Sequence, residues 1–360
     1  MTGPTGRIAR PATRPGGSTA ARRALRLALG AAAIGALATG ALAAGCTVTD
    51  RSPAAPSSRP PSAPASATTG PTVTPGTPRT QPPSTVAPPR VPRVAPDDVR
   101  VETAVAAVRH LAGRIGPRPG TSAAYRRAAS WVEHRLVETG WRVERQRFAT
   151  PAGVSWGVPV PAGTSLNLLA TRGEIRAGRP WLLVGAHLDT VPQAPGAEDN
   201  ASGVGVLLAV AEALADRRTR LPVVLVAFGS EEPRGPGDED HHYGSRAYVA
   251  RLDPVQRRTL RGMISLDRVG VGAALPVGSA DDPDPLHAEV LAAARRAGVA
   301  TQPETDQRSS DHWSFVRAGL PGVRLGSTPY AGYHSAGDVP GVVEAAQLRR
   351  AARTVAAWLG

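Results

Sequence analysis

The sequence contains no lysine. All 42 basic residues are arginines, and their excess over 29 acids gives a formal net charge of +13. Acid is scarce at the start: residues 1 to 96 hold eleven arginines and one acid, Asp50. The other 264 residues carry 31 arginines and 28 acids, a net of +3. The strong positive charge therefore belongs to the N-terminal tract, and it argues poorly for a nucleic-acid groove in the folded part. Cysteine is almost absent, with Cys46 the single one. The body after it has no disulfide and no thiolate to offer a metal, so any metal site must use His, Asp and Glu. No internal repeat is present.

The N-terminal tract has the order of an export signal. Six arginines, from Arg7 to Arg26, form a basic region, and LALGAAAIGALATGALAA (27–44) is apolar and rich in small residues. Eighteen such residues are also just enough to span a bilayer. The Ala and Gly content and the ending ALAAGC favour cleavage; that ending resembles a bacterial lipoprotein signal, which implies lipidation of Cys46 as the new N-terminus. Residues 47 to 96 carry fourteen prolines among Ser, Thr, Ala and Gly. With no apolar periodicity they cannot bury a core, and they read as a disordered tether. The expected organisation is a signal peptide over 1–45, a linker over 46–96 and a catalytic domain over 97–360.

The last 264 residues suit one sizeable α/β domain. Helical spacing predicts helices over 97–113, 121–139, 203–215, 285–298 and 342–359. Alternating or wholly apolar runs predict strands at WRVERQRFA, SLNLLATR, WLLVGAH (181–187), VVLVAFG (223–229), MISLD (263–267) and GVRLG (322–326). Strands alternating with helices imply a sheet covered on both faces. The polar residues then fall at strand ends. His187 and Asp189 close one apolar strand, Glu231 and Glu232 the next, and Asp267 a third. Asp199 precedes a helix, and His334 follows a short strand and a turn. In open α/β sheets, ligands bind outside the carboxyl ends of the strands. Five loops thus deliver His, Asp and Glu to one edge.

That set fits a two-metal hydrolytic site. Zinc takes His nitrogen and carboxylate oxygen, and two metals need a bridging ligand, for which an Asp on the tight GAEDNASG turn is suited. Two adjacent carboxylates at a strand end can divide the work, one binding metal and the other acting as general base.

The segments GAHLDT (185–190), AEDNASGVG (197–205), GSEEP (229–233), YGSRAYV (243–249), SLDRVG (265–270), SSDHWSFVRAGLPG (309–322) and YHSAGD (333–338) resemble, in order, the di-zinc aminopeptidase family that also includes the glutaminyl cyclases. The resemblance implies a single three-layer α/β/α domain with a mixed, largely parallel sheet. It implies two zinc ions, with Asp199 bridging, His187 and Asp267 completing one metal, and Glu232 and His334 the other. Glu231 would be the general base for a bridging water, Asp189 would hydrogen-bond the far nitrogen of His187, and Tyr333 would donate to the oxyanion. The Asp199–Asn200 peptide would be cis.

Peptides are the implied substrates, with no nucleic-acid partner, a monomeric body and membrane attachment only through Cys46, on the outer face of the cell membrane. A glutaminyl cyclase is the alternative reading, favoured by the long insertion between Glu232 and Tyr243 and opposed by Tyr333, where cyclases carry Trp. A non-catalytic surface binding protein would have lost a ligand or the base, and neither is lost. Asp311 and His312 are expected to be structural or to line the site, Arg308 to sit at the surface or meet a carboxylate, and Asp338 to order the loop after His334. The run Asp238–His242 is expected to form a solvated rim loop.

Overall fold

The computed structural model describes residues 90–173, 175–281 and 284–360. The signal read at 1–45 and most of the linker read at 46–96 lie outside the described residues. Among the described residues, no helix is long and apolar enough to cross a membrane.

Helix α1 (Val101–Val108) widens into a π turn (Arg109–Ile115), so the helix expected from residue 97 begins later and ends in looser geometry. Helix α2 (Ala123–Glu138) starts where the Ser122 side chain accepts the Tyr125 N–H at 3.0 Å. Strand β1 (Arg142–Thr150), a hairpin of β2 (Gly153–Ser155) and β3 (Val158–Val160), then β4 (Gly163–Thr171) and β5 (Trp181–His187) follow. Next come α3 (Gly203–Ala213), β6 (Val223–Phe228), α4 (Tyr243–Arg251), α5 (Pro254–Thr259) and β7 (Leu260–Leu266). The chain closes with β8 (Leu275–Ser279), α6 (Pro285–Arg296), β9 (Thr301–Glu304), α7 (His312–Arg317), β10 (Gly322–Leu325) and α8 (Ala345–Leu359).

Eight strands form one mixed sheet in the order β1-β4-β6-β5-β7-β10-β8-β9. The four at its centre, β6, β5, β7 and β10, are mutually parallel. Strand β5 explains why both faces must be covered: all seven of its residues are buried. Leu182, Val184 and Ala186 enter the larger core with α1, α2, α3, α6 and α8, whereas Trp181 and Leu183 enter the smaller one with Tyr248, Val249 and Phe315 of α4 and α7. This alternation is the period of two that a strand imposes, and each buried Leu or Val is worth about 1.5–3 kcal/mol. The result is three layers, α/β/α. Val94 also joins the larger core, and its N–H donates to Arg218 O at 3.0 Å.

Two glycines fix the distance between layers at the site. A Cβ on Gly185 would stand 2.3 Å from the Phe228 ring, and one on Gly244 would stand 2.3 Å from Gly229 O. The first lets β5 and β6 keep their register, and the second lets α4 begin directly against the end of β6.

Candidate metal centre

Because β6, β5, β7 and β10 run parallel, their carboxyl ends lie together. His187 is the last residue of β5, Glu231 and Glu232 come after β6 with Gly229 and Ser230 between, and Asp267 directly follows β7. Asp199 lies in the irregular turn Ala197–Ser202 before α3, and the Asp199–Asn200 peptide is cis. His334, with φ of 51°, lies in the turn after β10.

The turns are held by backbone bonds to buried side chains. Asp338 accepts the Glu198 N–H at 2.7 Å and the Asp199 N–H at 3.1 Å, so it orders the Asp199 turn from the His334 loop. Asn200 donates to Leu266 O at 2.8 Å and accepts the Gly203 N–H at 3.0 Å. Arg118, fully buried, donates to Leu188 O and Pro195 O, both at 2.7 Å, and to Gly196 O at 2.9 Å. Asp189 differs from its expected contact. Its carboxylate is 3.8 Å from His187 Nδ1, which instead lies 3.2 Å from the Asp189 backbone oxygen. The carboxylate accepts the Glu231 N–H at 3.0 Å and the Glu232 N–H at 3.2 Å, fixing the start of the acid pair.

Asp199 stands between the two histidines. Its Oδ1 is 3.1 Å from His187 Nε2, and its Oδ2 is 3.0 Å from His334 Nε2. Asp267 Oδ1 lies 3.7 Å from His187 Nε2, and Glu232 Oε2 lies 3.5 Å from His334 Nε2. Three overlapping groups have ligand atoms within 4.8 Å of one another: His187 with Asp199 and Asp267, Asp199 with Glu232 and His334, and His187 with Glu231 and Glu232. The donors suit a divalent cation such as zinc. Glu232 Oε1 and Asp267 Oδ1 are buried without a hydrogen-bond partner, the condition of carboxylate oxygens that a metal would satisfy.

Charge is concentrated here. Burial first, and then Asp199 and Glu231, push the Glu232 carboxyl well above its usual range. Glu231 is pushed up to about 7 by burial and by Asp267, Asp189 and Asp199, against His187. Burial alone would lower the pKa of His187, but Glu231, Asp199 and Asp267 overcome it and hold the imidazole well above its usual value.

A cavity of about 460 Å³ opens onto these residues and is also lined by Trp156, Arg268, Arg308, Arg324 and Tyr333. The Tyr333 ring stacks on His334 with centroids 3.7 Å apart, and the Arg268 guanidinium sits 4.5 Å from the Tyr333 ring. Trp156, at the tip of the β2–β3 hairpin, meets the His334 ring edge-on at 4.4 Å. The hairpin is tied down by Arg234, which donates to Pro151 O and Pro161 O at 2.8 Å. Arg308 is exposed and lies 5.3 Å from the Trp313 ring. His312 and Asp311 are buried. His312 Nε2 contacts Gln307 O at 2.7 Å, and burial and then Glu231 raise Asp311 to about 7.

The rim loop divides. Asp238–Asp240 form a 3-10 turn with Asp238 and Glu239 exposed, and Asp240 and His241 are partly buried. His242 is not part of a solvated rim. It is buried, with φ of 56°, its N–H donates to Glu231 O at 2.9 Å, and its Nε2 lies 3.1 Å from Glu231 Oε1. Burial first lowers its pKa to about 4. Several residues of the site escaped the sequence reading, Arg268 beside Asp267 among them. His242 sits in a loop with no periodicity, and Trp156 in a hairpin of three-residue strands. Arg324 carried a signal, a single charge inside the apolar strand GVRLG.

The parallel centre of the sheet gathers two histidines and three carboxylates at one edge, with a further buried glutamate beside them, a donor set that suits a metalloenzyme. The chain belongs to peptidase family M28, whose model matches residues 167–359, more than half of the chain. It is 30% identical to the aminopeptidase YwaD of Bacillus subtilis over 163 residues, covering 44% of this chain and 34% of that protein. The chain spans about half or less of the length of the curated relatives it matches first. Its fold is that of a Bacillus subtilis zinc aminopeptidase, BSAP, at a TM-score of 0.64 and 19% identity, covering 72% of this chain and 94% of that one. The fold is also shared with a Porphyromonas gingivalis glutaminyl cyclase, at a TM-score of 0.63 and 24% identity, covering 73% and 98%.

Proposed function

We propose that the protein is an exported zinc aminopeptidase, tethered to the outer face of the cell membrane through a lipid on Cys46 and acting on peptides. The observation that carries the reading is Asp199, whose two oxygens face different histidines at 3.1 and 3.0 Å. One carboxylate placed so is suited to two metals, with His187 and Asp267 on one side and Glu232 and His334 on the other. Bound zinc supplies a Lewis acid for the scissile carbonyl and lowers the pKa of the attacking water.

Glu231 takes the proton from that water and returns it to the leaving amine nitrogen. Its carboxylate lies within 4.8 Å of ligand atoms of His187 and Glu232, so it stands beside the centre where that water would sit. Asp189 holds the backbone of the acid pair, and His242 holds the Glu231 carboxylate from behind, leaving its second oxygen for the water. Tyr333, stacked on His334, donates to the oxyanion.

A cyclase on the same scaffold is the second reading. It is favoured by the cavity wall, where Trp156 would pack against a glutaminyl side chain. A paired assay decides between them. Aminoacyl-nitroanilides and a glutaminyl peptide are offered to the purified protein, and zinc is counted by elemental analysis. Release of nitroaniline without pyroglutamate formation supports the peptidase; cyclisation with one zinc per chain reverses the order.

A further inference from the structure

Arg324 is the least expected charge in the molecule. It lies on β10, between β7 and β8, where its Cα pairs with Ser265 and Gly278. It is fully buried. Its Nη1 donates to Ser309 Oγ at 2.7 Å, and its Nη2 lies 3.1 Å from Asp267 Oδ2. Arg268 adds a second guanidinium, with its Nε 3.9 Å from Asp267 Oδ1. The candidate metal ligand Asp267 thus already has cations beside it.

The other half of the centre is built differently. The only charged or ionisable partner within ion-pair distance of Glu232 among the described residues is His334, at 3.5 Å. The buried cation Arg118 makes no ion pair with Glu232 and gives its donors to the backbone oxygens of Leu188, Pro195 and Gly196. Asp199 is common to both halves and cannot distinguish them.

From this we infer that Arg324 makes the two metal positions unequal: a divalent cation binds more tightly at Asp199, Glu232 and His334 than at Asp199, His187 and Asp267. The inference rests on the proposed metal-centre reading. Two effects of Arg324 compete. As an ion-pair partner at the back of Asp267, 3.1 Å from its Oδ2, it holds a ligand in place, and partners behind a ligand ordinarily favour metal by tenfold to a hundredfold. As a fixed cation in a buried site it repels a dication held by the same carboxylate. Charge acts strongly where water is excluded, and Arg cannot shed its proton to escape. The repulsion is therefore the larger effect. The arrangement stabilises the metal-free fold, because Asp267 stays paired when its metal is gone, and it leaves one position easily emptied.

The test is zinc titration into the metal-free full chain by calorimetry, with a competing chelator to reach the tighter step. Two steps are expected. The tighter should vanish in Glu232→Gln and the weaker in Asp267→Asn. Arg324→Gln keeps a polar side chain in the strand while removing the charge beside Asp267. It should tighten the weaker step by at least tenfold, leave the tighter step unchanged, and enlarge the rise in Tm on adding zinc. A weaker step that is unchanged or loosened in Arg324→Gln would overturn the inference while leaving the metal-centre reading intact. Loss of the tighter step in Asp267→Asn would overturn it without the Arg324 variant, should that variant fail to fold. If neither Glu232→Gln nor Asp267→Asn removes a step, the metal-centre reading itself fails.

Discussion

Replacing Glu231 with Gln removes one charge and almost no volume. The backbone of residue 231 keeps its bond to Asp189, and the new amide oxygen can still face His242, so the site should hold its shape. Zinc should stay, because Asp199, Glu232, His334, His187 and Asp267 are untouched. What is lost is the proton acceptor. General-base catalysis contributes roughly 10²–10⁴-fold, or about 3–5.5 kcal/mol of barrier. Glu231 is the one proton acceptor assigned to the water, so its loss should lie in the upper part of that range. We expect kcat on an aminoacyl-nitroanilide to fall at least about 10³-fold, with KM changed little and zinc content equal to the parent. The assay is steady-state kinetics with elemental analysis of the same preparation. Turnover within a factor of ten of the parent would refute the assignment of the base. Loss of zinc along with turnover would move Glu231 into the ligand set.

Three further outcomes are expected. His242→Leu should lower kcat by about 10–100-fold, the worth of a hydrogen bond to a charged group, with zinc unchanged, whereas His242→Gln should recover most of the loss; equal activity in all three proteins would deny His242 a role. Asp189→Ala leaves the Glu231 and Glu232 N–H groups without their buried acceptor, and it should lower zinc retention and Tm together; a zinc content and Tm equal to the parent's would show that the acid pair does not need it. The metal-free protein should lose stability as pH rises from 6.5 to 8. Glu231 and Asp311, raised to about 7, and Glu198, raised to about 8 by burial, keep protons there that the unfolded chain has released. His242 and His312, lowered to about 4 and about 3, are neutral in the folded state but about half protonated in the unfolded chain near pH 6.5, so they oppose the trend at the low end of the window and cease to above pH 7. More protons on the folded state means stability falls with pH, and a rising Tm across that window would contradict it.

Much of this was legible in the sequence because the chemistry sits where patterns are strongest. WLLVGAH and VVLVAF are wholly buried strands, and an uninterrupted apolar run that ends in His or in Glu-Glu places those side chains without ambiguity. Short elements were not legible. Strands β8 and β9 are LPVGS and TQPE, with proline inside each and little apolar alternation, and they form by tertiary pairing, β8 on the edge of β10 and β9 on the edge of β8. The hairpin that brings Trp156 over His334 is held by Arg234 from a distant loop, a tertiary contact that leaves no local mark. His242 and Asp240 are two residues apart in one polar run, yet one is buried against Glu231 and the other caps an exposed turn. Composition cannot separate them, because the decision is made by how α4 packs through Gly244 onto the end of β6.

The most direct measurement offers the zinc-loaded protein one peptide in two forms, with a free and with an acetylated N-terminus, and follows both by mass spectrometry. Stepwise loss of single residues from the free peptide, with the acetylated one intact and the Glu231→Gln variant inactive, is the predicted result. Cleavage of the acetylated peptide, or loss of residues from the C-terminus, would contradict an aminopeptidase built on this site.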